Sequence, residues 1–288
     1  MFVSSRARST SALLFAGILW GTGGLAGSLL GQLAGLHPIA VAAYRLLLGG
    51  AAGLVVVRRR PKAAREVAAV GALFALFQAA YFAAVSLSSV GTATMTTIGA
   101  VPVLLAVRKR PRAWTLVSVG GAVAGLVLLR WSPGQTWAGT AFALLAAAGF
   151  AVVTAMPKRD DPAVTTAFGC LAGGVLLTPA ALALGMGLPM RPEVLLTAAY
   201  FGVVPTALAY AAYFRGLAGA HPVVGALSAL LEPLTATVLS VAFLHERLSA
   251  PAWCGAGLLV VALAVGYWRP EPRGAVSGRG WRTGAGRP

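Results

Sequence analysis

The chain has 288 residues, of which 58% are hydrophobic and only 10% charged, with a mean hydropathy of +0.81 and a formal net charge of +16. An ordinary soluble domain carries roughly 45–50% apolar and about 25% charged residues, so that class is excluded. A β-barrel is excluded as well, because its strands would alternate polar and apolar over segments of about ten residues.

In chain order, apolar stretches predict ten membrane-crossing helices, over 12–31, 38–57, 67–87, 91–107, 114–130, 137–156, 163–184, 194–214, 222–244 and 252–268. About twenty residues at 1.5 Å each cross a hydrocarbon layer of about 30 Å. The first stretch follows Arg6 and Arg8 in the manner of a secretory signal. It outruns the usual apolar core of about 7–15 residues and further spans follow, so it is expected to be retained as a helix. The connections are short and marked by proline or charge, as in "RRRPKAARE" at 58–66, "RKRPR" at 108–112 and "PKRDDP" at 157–162.

With the N-terminus in the cytoplasm, these connections, Arg6, Arg8, Arg215 and the five arginines from Arg269 to Arg287 all lie inside. Only Arg130, Arg191 and Arg247 lie outside. Such asymmetry follows the positive-inside rule and places both termini in the cytoplasm. The positive charge therefore reads as orientation and attraction to anionic lipid, not nucleic-acid binding. Residues 269–288, "RPEPRGAVSGRGWRTGAGRP", read as a basic disordered tail. Arginine outnumbers lysine and alanine and glycine abound, which points to a GC-rich bacterial genome and hence to a bacterial inner membrane. Cys170 and Cys254 fall inside apolar runs and read as packing residues.

The sequence also resembles itself. "HPIAVAAYRLLLGGAAGLVVV" from His37 resembles "DPAVTTAFGCLAGGVLLTPAA" from Asp161, pairing Pro38 with Pro162, Tyr44 with Phe168 and Gly49-Gly50 with Gly173-Gly174. "TIGAVPVLLA" resembles "ALLEPLTATV", pairing Pro102 with Pro233, and a third match pairs Trp114 with Trp253. A repeat of five spans is odd-numbered, so the second copy enters from the opposite side, and inverted repeats place a substrate near the midplane between them. The expected fold is an all-α polytopic membrane protein of ten transmembrane helices in two inverted five-helix repeats. Its parts are 1–131, 132–268 and the tail 269–288. Pro102 and Trp114 are 12 apart but Pro233 and Trp253 are 20 apart, so span four is expected to be short by eight residues at its cytoplasmic end.

"ILWGTGG" in span one, "HPIAVAAYRLL" in span two and "LLEPLTATVLSVAFLHERLSAPAWCGAGLLV" in the second half resemble the EamA family of the drug/metabolite transporter superfamily. The likeness covers about 12–268. It implies ten helices in two inverted halves and export or exchange of small metabolites such as amino acids. The family's first half continues span four toward an acidic residue like Glu246, whereas here Val107 runs directly into Arg108.

An ionisable group at bilayer depth costs at least about 2.5–3.5 kcal/mol on insertion scales, so it faces a partner or a wet cavity. Glu232 lies ten residues into span nine, about 15 Å deep. Gly225, Ser228, Glu232 and Thr235 follow an i, i+3, i+7, i+10 pattern and share one face. Pro233 leaves the carbonyl of Ala229 without its helical donor. Two readings stand: a site for a substrate amine or a proton, or a protonated glutamate that locks helices together. Its counterpart in the first half is Val101. Arg45, roughly 10 Å into span two, snorkels or pairs with Glu232 on one reading and binds a substrate carboxylate on the other. The family resemblance places an arginine at this point.

Uncharged pathway candidates are Trp20 in span one, Gln78 and Tyr81 on one face of span three, and Thr94 and Thr97 in span four. Thr206, Tyr210 and Tyr213 form a stripe on span eight beside Pro205, which frees the carbonyl of Phe201. For each of these, helix packing is the alternative. Pro102, Pro205 and Pro233 are the expected kinks. Gly17/Gly21, Gly27/Gly31 and Gly121/Gly125 read as close helix contacts, and His245-Glu246-Arg247 as a solvated helix end.

No P-loop, HExxH, CxxC or GxSxG occurs, and His37, His221 and His245 stand singly. The expected function is a secondary transporter moving an amino-acid-like or amphipathic metabolite by alternating access. It needs no catalytic residue, metal or cofactor, and its partners are the solute, the bilayer and, at Glu232, protons. A homodimer is left open. The rival readings are a transport-inactive family member with a structural role and, behind it, a membrane-embedded enzyme.

Overall fold

The structure is a computed structural model that describes residues 2–57, 59–87, 90–107, 113–129, 136–156, 160–244 and 250–268. Seven helices open the chain: α1 (Phe2–Ala34), α2 (Pro38–Val56), α3 (Ala64–Leu87), α4 (Val90–Val107), α5 (Ala113–Leu129), α6 (Trp137–Ala155) and α7 (Pro162–Ala183). Span eight is α8 (Pro192–Gly202), a π-helical turn (Val203–Leu208) and α9 (Ala209–Ala218) in one continuous rod. Span nine is split into α10 (Pro222–Ser228) and α11 (Leu231–Leu244), and α12 (Ala250–Trp268) completes the set.

The described residues thus form ten spans in the expected places. Six are long and apolar enough on their own to cross a membrane, and shorter apolar stretches, Thr96–Leu105, Ala113–Leu128, Pro222–Ala236 and Trp253–Gly266, fall in the remaining four. α1 starts well before the expected residue 12, and from Ser9 onward it packs on α9: a Cβ at Gly216 would lie 2.8 Å from the Ser9 carbonyl oxygen. Span four is described from Val90 to Val107, and Arg108 to Arg112, where the expected loss of eight residues falls, lie outside the described residues. So do Arg130, His245-Glu246-Arg247 and the tail.

Local chemistry sets the helix starts. α2, α7 and α10 each begin with proline at the first position, where its missing N–H is not needed. The preceding His37, Asp161 and His221 accept N–H bonds from Ile39, Ala163 and Val223 at 3.3, 2.8 and 3.3 Å. The α1–α2 turn passes through Gly35 at φ 64°, and the chain leaving α7 passes through Gly185 at φ 87°, a region that favours glycine.

Small residues then let the spans cross closely, and the contacts come in reciprocal pairs. A Cβ on Gly50 would lie 2.6 Å from the Leu171 nitrogen, and one on Gly174 would lie 2.8 Å from the Leu47 nitrogen. Gly71 meets Ala172 and Gly173, while Gly202 meets Leu48 and Gly49. The repeat equates Gly50 with Gly174, so α2 against α7 is a self-matching contact. α5 packs closely on α12, with Gly125 on Gly255 and Leu259. Outside the membrane region, the Asp160 carboxylate accepts N–H bonds from Lys62 and Ala63 at 2.9 and 3.1 Å. Those residues immediately precede α3, so the α6–α7 connection is stitched to the α2–α3 connection.

Large apolar side chains such as Val55, Val56, Val117, Leu196 and Trp253 face outward, as a lipid-facing surface requires. The buried centre holds Leu13, Trp20, Leu46, Phe74, Phe201, Tyr210 and Tyr213.

Candidate functional site: a central cavity

A cavity of about 290 Å³ lies between α1, α2, α3, α4, α6, span eight and the break in span nine. Its wall runs from Glu232, Ala229, Phe150 and Tyr210 at mid-span to Gln32, Leu36 and Pro38 at the α1–α2 turn. At the other end the rings of Trp20, Phe150, Tyr210 and Tyr213 pack together at centroid distances of 4.9–5.9 Å. Tyr213 also shares a 3.2 Å hydroxyl contact with Thr154. Rings from α1, α6 and α9 thus floor the cavity.

Arg45 reaches the cavity from α2 and is held by span eight. Its Nε donates to Thr206 Oγ1 and its Nη2 to the Pro205 carbonyl, both at 3.4 Å. The guanidinium carbon lies 5.4 Å from the centre of the Phe201 ring, a cation–π arrangement. The local cause is Pro205. It cannot donate to the Phe201 carbonyl, the rod widens into a π turn, and Thr206 Oγ1 donates to that carbonyl at 2.7 Å instead. The hydroxyl thereby gives its proton to Phe201 and its lone pair to Arg45.

Glu232 comes from the first turn of α11. Span nine breaks at Ala229–Leu230, and the Ala229 carbonyl accepts the Glu232 N–H at 3.0 Å. Pro233 falls in the first turn of the new helix, where its missing donor is harmless. The expected kink is therefore a break, and it leaves the positive end of α11 beside a carboxylate, a favourable placement. α1 packs against the break: a Cβ on Gly17 would lie 2.5 Å from the Ser228 carbonyl oxygen, and Gly21 abuts Thr235. Arg45 and Glu232 line the same cavity, yet among the described residues no salt bridge within 4.0 Å joins them.

Of the other candidates, Trp20, Tyr81, Thr97 and Tyr210 line the cavity. Tyr81 shares a 2.6 Å hydroxyl contact with Thr94, which stands behind it, and Thr97 donates to the Ala143 carbonyl at 3.2 Å. Gln78 is fully buried beside Tyr210 without a hydrogen bond of normal geometry. Tyr213 belongs to the floor. Ser228 is buried and donates to the Val224 carbonyl at 2.7 Å, and neither it nor Thr235 is part of the cavity wall. The break explains why: the face drawn through residues 225 to 235 does not continue across it. Pro102 sits inside an unbroken α4.

Sequence reasoning missed Phe77, Phe82, Phe150 and Phe201, as well as the bare wall of Gly23, Gly24, Gly27 and Gly31. The usable signal was the i, i+4, i+8 spacing of Phe77, Tyr81 and Val85 on α3. Among the described residues no three His, Cys, Asp or Glu side chains gather as a metal site, and Cys170 and Cys254 are free thiols.

Residues 135–268 match the model of the EamA-like transporter family. The uncharacterized transporter YwfM of Bacillus subtilis (strain 168) is 33% identical over 273 residues, spanning 88% of this chain and 91% of that protein. A solved crystal structure shares the fold with a TM-score of 0.72 at 22% identity, covering 90% of this chain and 96% of that one.

Proposed function

Since the chain belongs to the EamA family of the drug/metabolite transporter superfamily, we propose that it is a secondary transporter that moves a small amphipathic, amino-acid-like solute outward across the bacterial inner membrane by alternating access. The observation that carries this reading is the pairing of opposite charges in one cavity without an ion pair between them. Arg45 offers a fork of donors to a carboxylate and Glu232 offers an acceptor to an amine, while Phe77, Phe150 and Phe201 supply an apolar wall. A solute with both charges satisfies both residues at once. The functional units are the halves 1–131 and 132–268, with both termini in the cytoplasm. The floor of rings then closes the cytoplasmic side, and rocking the halves exposes the cavity to that side instead. Glu232 is the group that would carry a proton in exchange for solute.

The test is counterflow of radiolabelled L-amino acids in proteoliposomes. Arg45→Ala is expected to lower uptake roughly tenfold or more, the loss of a hydrogen bond to a charged group. Glu232→Gln is expected to abolish the dependence of uptake on a pH gradient. Unchanged uptake in Arg45→Ala would remove the carboxylate role, and wild-type pH behaviour in Glu232→Gln would remove the proton role.

A further inference from the structure

α1 turns one stripe toward the cavity: Trp20, Gly24, Gly27 and Gly31, spaced i, i+4, i+7, i+11, all line it. These glycines are not equivalent. A Cβ on Gly27 would lie 3.0 Å from Cζ of Phe201, and one on Gly31 would lie 3.6 Å from Cγ2 of Val41. Gly23, also on the wall, would meet Pro205 at 3.1 Å. At Gly24 a Cβ would meet nothing within 4 Å. At Gly27 and Gly23 a neighbouring span takes up the space, whereas at Gly31 a Cβ would only reach ordinary contact. Gly24 is exposed, lines the cavity and has only open space where its Cβ would stand.

We propose that Gly24 sets the upper size of the apolar part of the transported solute. This rests on the transport reading above and adds the residue that limits its range. A larger side chain at 24 enters the cavity without displacing a neighbouring span, so it takes volume from the solute and not from the fold. In an apolar pocket one methylene changes discrimination by roughly 10- to 200-fold. The selectivity of the protein between small and large solutes with the same charged groups is therefore the quantity that Gly24 controls.

The experiment measures uptake of L-alanine, L-leucine and L-tryptophan by the full-length protein in proteoliposomes, comparing wild type with Gly24→Ala and Gly24→Leu. The expected result is a rise in the alanine-to-tryptophan ratio of kcat/KM of at least about tenfold in Gly24→Leu, with Gly24→Ala between it and wild type. Thermal melting checks folding, and the single methyl of Gly24→Ala keeps the ratio measurable if the leucine variant does not assemble. A ratio unchanged within twofold in both variants, or equal losses across the series, overturns the role of Gly24 and leaves the transport reading standing. Wild-type uptake of alanine alone does the same. No wild-type uptake of any member overturns both.

Discussion

Spans four and nine occupy matching places in the two halves, carry a proline at the same position, and respond to it differently. Pro102 lies within α4, which runs without interruption from Val90 to Val107. Pro233 lies in the first turn of α11, just past a break. The preceding residue marks the difference: Val101 is buried and is no part of the cavity wall, whereas Glu232 forms part of it. A proline alone thus does not decide the backbone. The surroundings differ as well, since α1 brings Gly17 and Gly21 closely against span nine on either side of the break. One span stays a plain rod, and the other starts a new helix whose first turn carries a cavity-lining carboxylate.

Making span nine resemble span four gives the largest expected effect. Glu232→Val is expected to reduce uptake by roughly ten- to a hundredfold, since a hydrogen bond to a charged group contributes about 1.5–3 kcal/mol. Adding Val101→Glu is not expected to restore it, because α4 keeps that side chain away from the cavity; recovery in the double variant would show that the halves are interchangeable. Gly21→Val comes next. It drives a branched side chain into Thr235, and overpacking of this kind costs about 1–3 kcal/mol, visible as a lower melting temperature in detergent. The smallest effect is expected from a pair of substitutions read together. Pro233→Ala allows the helix to close over the break and is expected to lower uptake several-fold, while Pro102→Ala leaves it within about twofold of wild type, since an uninterrupted helix gains only a backbone donor. Equal effects from the two prolines would erase the contrast.

Much of the fold was legible because crossing a bilayer imposes a length, and prolines and charges mark where each crossing ends. The demand for a partner at the Phe201 carbonyl followed from Pro205 alone. The cavity wall was less legible for a physical reason. In water, apolar faces point inward and polar ones outward, but in a membrane both directions are apolar. Phe77 and Phe150, which line the cavity, therefore look in sequence like Phe15 and Phe142, which do not. Ser228 and Thr235 were grouped with Glu232 by a periodicity that assumes one continuous helix. The break in span nine removed that assumption.

The wide turn at Val203–Leu208 has a rotational consequence. A π turn closes its hydrogen bonds one residue later than an α turn, so it inserts one extra step of about 100° into the rod. Every side chain beyond it is dialled round relative to α8 by that step. Phe201 and Tyr210 are nine residues apart, which on a regular helix is two and a half turns and would set them on opposite sides; both nevertheless line the one chamber. The irregularity that gives Thr206 its carbonyl is thus also the phase shift that aims the second half of span eight.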